Sequence, residues 1–317
     1  MASTEFSVII PLYNKEKVVK QTIESVLKQT ISDFELIIIN DGSTDRSVEI
    51  VNTISDKRIR LISKDNGGVS SARNTGIRES MGKYICFLDA DDMWMPDFLE
   101  TVKNLFLKFP QAGMVCPSYQ IAYGGRIVHP KWKSVDLSKD SLVNDFFEMA
   151  SAPFWICNSS CVAIKATVFG ELEQWFSEKE TFYEDFELWI RIGERYPVAH
   201  SNKICATYQR ATDMNARKSH SNKIIFSKNY MSTLDNFLEK ESYTEKQKEW
   251  LTEIRDRRMV LYIFSLYMTG NRKKAIAELR LWETSDHYKK YALALKLLYV
   301  FPQSFILLIQ KIRIKVF

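Results

Sequence analysis

Over the first hundred positions, two hydrophobic rhythms alternate. Short runs rich in β-branched and aromatic residues, at Phe6–Pro11, Glu35–Asn40, Ile59–Ser63 and Tyr84–Leu88, predict strands. Between them, Val18, Val19, Ile23, Val26 and Leu27 recur at helical spacing, as do Val48, Ile50, Val51 and Ile54 after the cap signal Ser43-Thr44-Asp45. A third crossover helix is predicted over Val69–Met81. A fourth begins at Pro96-Asp97 and carries Phe98, Leu99, Val102, Leu105, Phe106 and Phe109 towards Pro110. Strands alternating with helices are the sequence form of a parallel sheet covered by helices.

From about Gly113 to Arg210 the pattern mixes strands (Met114–Tyr123, Cys161–Ile164, Val198–Tyr208) with helices near Leu142–Ala150 and Tyr183–Arg195. This stretch is expected to extend the same sheet, with a hairpin at Gly124-Gly125. After about Asn215 glycine nearly disappears, and amphipathic helical segments follow at Lys223–Thr269, Lys273–Trp282 and Tyr288–Val300. A boundary near residue 215 is therefore predicted, with a helical region over 216–317.

Charge narrows the picture. The net charge is +5, but six basic residues and no acidic ones lie between Tyr288 and Phe317, so residues 1–287 sum to −1. A body so balanced is not built for a polyanion, and no nucleic-acid partner is expected. Five cysteines without a CxxC spacing fit neither a disulfide framework nor a four-ligand zinc site, which points to a reducing, cytoplasmic compartment. Met1–Tyr13 lacks the pattern of an export leader, and Tyr291–Ile309 is broken by Lys296, Pro302, Gln303 and Ser304. No membrane-spanning helix is predicted.

Three polar clusters stand immediately after predicted strands: Pro11-Leu12-Tyr13-Asn14, Asn40-Asp41-Gly42-Ser43-Thr44-Asp45 and Asp89-Ala90-Asp91-Asp92. Right-handed crossovers place the carboxyl ends of parallel strands along one edge, where ligands bind. Carboxylates gathered there need a cation. Asp89-x-Asp91 suits a hard divalent ion completed by water and phosphate oxygens, which points to a metal-diphosphate substrate. The loop from Asn66-Gly67-Gly68 into Ser70-Ser71-Ala72-Arg73-Asn74 opens a helix whose N–H groups, with Arg73, could face an anion. Asp92 and Asp97 have a plainer reading as caps of the Pro96 helix.

In their order and wording, VIIPLYN, LIIINDGSTD, NGGVSSARNTG, FLDADD and Tyr183-Glu184-Asp185-Phe186-Glu187-Leu188-Trp189 resemble an inverting glycosyltransferase of family 2 with the GT-A fold, over about Phe6–Arg210. The resemblance implies an α/β fold with a GT-A type nucleotide-binding mixed sheet flanked by helices. It divides residues 1–215 into a nucleotide-sugar half (about 1–112) and an acceptor half (about 113–215), ahead of the mostly helical C-terminal region. It implies that Pro11, Tyr13 and Asp41 hold the nucleotide, with Asp41 accepting from the uracil ring, that Arg73 adds a donor contact and that Asp89 lies near the ribose. Asp91 would coordinate Mn²⁺ or Mg²⁺, and Asp185 would be the catalytic base. Glu184 and Trp155 are acceptor-site candidates, together with the aromatic residues Trp132, Phe154 and Phe182.

The reaction implied is inverting, metal-dependent transfer from a nucleotide sugar, with a UDP-sugar as donor, to a saccharide acceptor. By the same implication the acceptor is linked to polyprenyl diphosphate, and the setting is bacterial surface-polysaccharide assembly. A sugar nucleotidyltransferase and a non-catalytic sugar-nucleotide-binding scaffold are the alternatives. One departure is visible: where family members often carry a basic Arg-x-His-type segment, this chain reads Tyr208-Gln209-Arg210-Ala211-Thr212-Asp213, leaving Arg210, Arg217, Lys218 and His220 as basic candidates. The basic apolar stretch over 288–317 has three readings: peripheral lodging on the cytoplasmic face of a membrane, homodimer contact, or a seal for the helical region.

Overall fold

The computed structural model describes residues 4–210 and 223–301. The chain divides into two compact units, 1–210 and 211–317. In the first, β1 (Phe6–Leu12), α1 (Val19–Leu27), β2 (Phe34–Asp41), α2 (Ser47–Asn52), β3 (Ile59–Lys64), α3 (Gly68–Glu79) and β4 (Tyr84–Phe87) alternate as the hydrophobic rhythm predicts. There follow β5 (Met93–Trp94), α4 (Phe98–Lys108), β6 (Met114–Tyr123), β7 (Arg126–Val128), β8 (Ser141–Leu142) and α5 (Phe146–Ala150). After these come β9 (Ala163–Lys165), α6 (Ala166–Glu171), α7 (Glu184–Arg195) and β10 (Val198–Gln209).

The sheet runs β3-β2-β1-β4-β9-β6-β10-β5, with β7 on β6 and β8 on β10. Its first four strands are parallel; β9 then runs antiparallel to both β4 and β6, so the sheet is mixed. All eight residues of β2 are buried, as expected of a strand covered on both faces. Phe6, Val8, Ile10 and Leu12 pack with Val19 and Ile23 of α1 and Leu99 and Val102 of α4, while Ile37 and Ile39 meet Ala72 of α3 on the other face. Helix α3 approaches closely because Gly76 leaves room: a Cβ there would stand 2.4 Å from Ile9 Cγ2. Each fully buried Val, Leu or Ile contributes about 1.5–3 kcal/mol.

The Gly124-Gly125 hairpin forms as expected, joining β6 to β7 with positive φ at both glycines. Two local expectations need correcting. The helix near Leu142–Ala150 begins only at Phe146, because Ser141 and Leu142 pair with β10 and Asp145 restarts the chain by accepting from the N–H groups of Phe147 and Glu148. The strand expected from Cys161 begins at Ala163, after a short 3-10 turn over Ser159–Cys161.

The second unit is helical: α8 (Lys228–Leu238), α9 (Glu245–Met268), α10 (Arg272–Leu281) and α11 (Lys289–Leu298). Thr244 and Gln247 close a capping box at the start of α9, satisfying N–H groups that a helix end leaves free. Asp256 is fully buried and accepts from Trp282 Nε1 at 2.8 Å and Ser285 N at 3.0 Å, which pins the α10–α11 connection. Among the described residues, no helix is long and apolar enough to cross a membrane.

Candidate active site

Parallel register puts the ends of β1, β2 and β4 side by side, so all three polar clusters emerge at one edge of the sheet. Backbone and side chains lace the first two together. Asn14, in the left-handed region at φ 51°, accepts from Thr44 N at 2.8 Å, and Lys15 N donates to Ser47 Oγ at 2.8 Å. Asp45 accepts from Glu16 N at 3.0 Å and Ser47 N at 2.9 Å. Tyr13 is 48% exposed at this rim, and Pro11, near the end of β1, is half-buried.

Asp41 is 3% exposed. Its Oδ1 accepts from Lys64 Nζ at 2.8 Å and Gly67 N at 2.9 Å, and its Oδ2 from Gly68 N at 2.8 Å. The carboxylate thus sits on the positive start of α3, where free N–H groups and the helix dipole favour an anion. The glycine loop therefore meets an anion supplied by the chain itself. A carboxylate offers about four acceptor positions, so one remains for a ring N–H.

Arg73 projects from α3 into the gap between β4 and α7 and is 2% exposed. Its Nη2 donates to Asp89 at 2.8 Å and its Nη1 to Glu184 at 3.0 Å, while the guanidinium lies 5.2 Å from the centre of the Phe176 ring. Against the cost of burial, Asp89, Glu184 and Asp185 hold the Arg73 pKa above its usual value. Burial and then Asp185 push the Glu184 carboxyl up to about 7, in spite of Arg73. Arg73 and Glu184 are separated by 111 positions in the chain, and their contact joins the strand-end carboxylates to the start of α7.

Helix α7 begins from Tyr183, a non-glycine residue at φ 63°. Strain of this kind persists only where the surroundings enforce it, and it tends to occur at functional sites. Asp185, the next residue but one, is partly exposed; its Oδ2 accepts from Ser159 Oγ at 2.7 Å. The neighbouring Ser160 accepts from Asp89 N at 3.1 Å and donates to Asp92. Two successive serines in one short turn therefore hold the two acidic clusters, one each.

Asp92 is fully buried and also accepts from Gln209 N at 2.7 Å, tying the Asp89–Asp92 segment to β10. Burial, then Asp89 and Asp91, push its carboxyl well above the usual range. The capping role expected for Asp92 and Asp97 is not what they do. Asp97 stands at the start of α4 without a side-chain capping bond and instead pairs with Lys203 at 2.6 Å.

Asp91 points outward, 35% exposed, and pairs with Lys15. Among the described residues, no group of three or more His, Cys, Asp or Glu side chains is arranged to hold a metal ion. The donor chemistry nevertheless suits a hard cation held by one carboxylate: Asp91 is accessible, and its partner is a flexible, half-exposed lysine. Such ions take most of their remaining ligands from phosphate and water.

The acceptor candidates fare differently. Trp155 is 3% exposed; its indole N–H donates to Ala150 O, and its ring is enclosed by Phe146 and Phe186. It is a core residue with no face free for a sugar, which corrects the expectation that it contacts acceptor. Glu184 is likewise committed to Arg73. Phe154 is 43% exposed, Trp132 and Phe182 are half-buried, and Arg210 lies over the Tyr123 ring. Arg217, Lys218 and His220 lie outside the described residues. Lys15, Lys64, Ser159 and Ser160 were not singled out by sequence; Lys15 had a signal in its position directly after PLYN, the two serines none.

Residues 7–162 match the profile described as "Glycosyl transferase family 2". The chain belongs to that family. A Rickettsia felis protein named "Uncharacterized glycosyltransferase" is 37% identical over 205 residues, 63% of this chain and 32% of the relative. Pasteurella multocida "Chondroitin synthase" is 30% identical over 206 residues, 63% of this chain and 20% of the relative. The chain thus spans about a third or less of the length of these curated relatives. The crystal structure of S. aureus TarS 1-349 in complex with UDP-GlcNAc has a TM-score of 0.62 at 16% identity, covering 86% of this chain and 89% of that one. It is a likeness of fold, and this family 2 chain has the GT-A architecture.

Proposed function

We propose that this chain transfers a sugar from a UDP-sugar to a saccharide acceptor with inversion at the anomeric carbon, in surface-polysaccharide assembly. The observation that carries the reading is the Arg73 bridge, which ties the donor-side Asp89 to Glu184, the neighbour of Asp185, in one site. A TarS structure holding UDP-GlcNAc and the chondroitin synthase relative support the choice of donor and polymer class.

Each residue then has a task. Tyr13 and Pro11 form the rim against which the nucleoside lies, and Asp41 offers its remaining acceptor position to the base. Asp91 would hold Mn²⁺ or Mg²⁺, which would supply charge neutralisation at the departing diphosphate. Asp185 removes the proton from the acceptor hydroxyl as that oxygen attacks the anomeric carbon. One displacement needs one base and no enzyme nucleophile, so the anomeric centre inverts. Ser159, donating to Oδ2, keeps the Asp185 carboxylate oriented.

The acceptor proposed is a saccharide on polyprenyl diphosphate at the cytoplasmic face of the membrane; the basic apolar segment beginning at Tyr288 supports it. The test is a screen of nucleotide sugars with Mn²⁺ for release of nucleoside diphosphate, with Asp185→Asn as control. The wild type should release UDP slowly without acceptor. Asp185→Asn should retain UDP binding and lose at least about a hundredfold in transfer. Nucleoside triphosphate formed from pyrophosphate would indicate the nucleotidyltransferase, and binding without turnover the scaffold.

A further inference from the structure

Helix α11 buries Ala292 and Leu295. Leu293 and Leu297, with Val300 just beyond the helix, turn outward at 59%, 56% and 74% exposure. Spacings of four and three residues place them in one stripe along the helix. Lys289, Lys290 and Lys296 are all exposed beside it, and no acidic residue occurs from Lys289 to Phe301. Asp286, one turn earlier, pairs with Lys289, but both side chains lie mostly in solvent, where such a pair contributes little.

Charge decides what can cover this stripe. Residues 302–317 carry Lys311, Arg313 and Lys315 and no acid, so folding them back would set cation against cation. A second copy docking through the same face would oppose lysines to lysines, since a two-fold contact is self-complementary. An anionic lipid surface complements both features at once: phosphate-bearing headgroups for the ammonium groups and the acyl boundary for the leucines.

We propose that this face of α11 lodges on an anionic membrane, with Leu293, Leu297 and Val300 entering the headgroup–acyl boundary and Lys289, Lys290 and Lys296 meeting the headgroups.

The test is co-sedimentation of the full chain with vesicles of phosphatidylcholine mixed with phosphatidylglycerol, and with vesicles of phosphatidylcholine alone. Strong, salt-sensitive binding to the anionic vesicles alone is expected. The double variant Leu293→Glu and Leu297→Glu should weaken it by at least about tenfold, with an unchanged circular dichroism melt because both side chains are exposed. The triple variant Lys289→Gln, Lys290→Gln and Lys296→Gln should weaken it and flatten its salt dependence. Equal binding to neutral vesicles, or a double variant that binds like the wild type, would overturn the proposal. So would a wild-type dimer, without vesicle binding, that the double variant turns into a monomer.

Discussion

At the inner end of the sheet edge the Arg73 side chain is 3% exposed and joins Asp89 to Glu184; at the outer rim Lys15 and Asp91 pair with side chains 37% and 35% exposed. The ingredients are alike, a cation between strand-end carboxylates. Their consequences differ because the inner cation and Glu184 are shut away from water, with only Asp89 reached by it at 31% exposure, whereas water reaches both members of the outer pair. A buried ion pair cannot lose one member without stranding a charge, whereas an exposed pair is worth about 0–1 kcal/mol and can exchange partners. The inner network is suited to holding shape, and the outer pair to receiving a ligand.

The contrast is open to attack from three sides. Arg73→Met should cost about 3–5 kcal/mol in denaturant unfolding, because Asp89 and Glu184 lose a shared, desolvated partner; a change below about 1 kcal/mol would mean that the inner site is no more committed than the rim. Asp91→Asn should do the reverse, altering stability by less than about 1 kcal/mol. Titration calorimetry should at the same time show Mn²⁺-dependent UDP affinity falling by about a hundredfold, since the proposed function assigns that carboxylate to the metal.

Ser159→Ala gives the smallest effect and the sharpest diagnosis. Removing one hydrogen bond to a charged group should lower kcat about tenfold. Because that bond orients the Asp185 carboxylate rather than the donor site, UDP affinity should be unchanged. Ser159→Thr, which keeps the hydroxyl, should restore kcat, which a purely structural role would not explain.

How much of this was legible before the structure varied with distance along the chain. The strands β1, β2 and β4 announce themselves because a doubly covered strand must be apolar at nearly every position, and the clusters at their ends follow from topology. Asp89, Asp91 and Asp185 were marked by motif. What sequence did not reveal is which carboxylate is accessible and which is bound into a buried network. Arg73 reaches Glu184 across 111 positions, and Ser159 and Ser160 carry no local pattern that distinguishes them from other loop serines. Trp155 misled for a related reason: an aromatic residue reads the same whether its faces lie against a sugar or against Phe146 and Phe186. Ser141 and Leu142 went astray because two residues are too few for a periodicity, and their pairing with β10 is a tertiary decision.

The most direct test is a crystal structure of the chain with UDP and Mn²⁺. The account predicts the metal on Asp91 with Lys15 released from it, the uracil ring against Asp41, and Asp185 facing the open side of the diphosphate with Arg73 still bridging Asp89 and Glu184. A nucleotide seated elsewhere, or an Asp185 carboxylate turned away from it, would contradict the single site on which the proposed transfer depends.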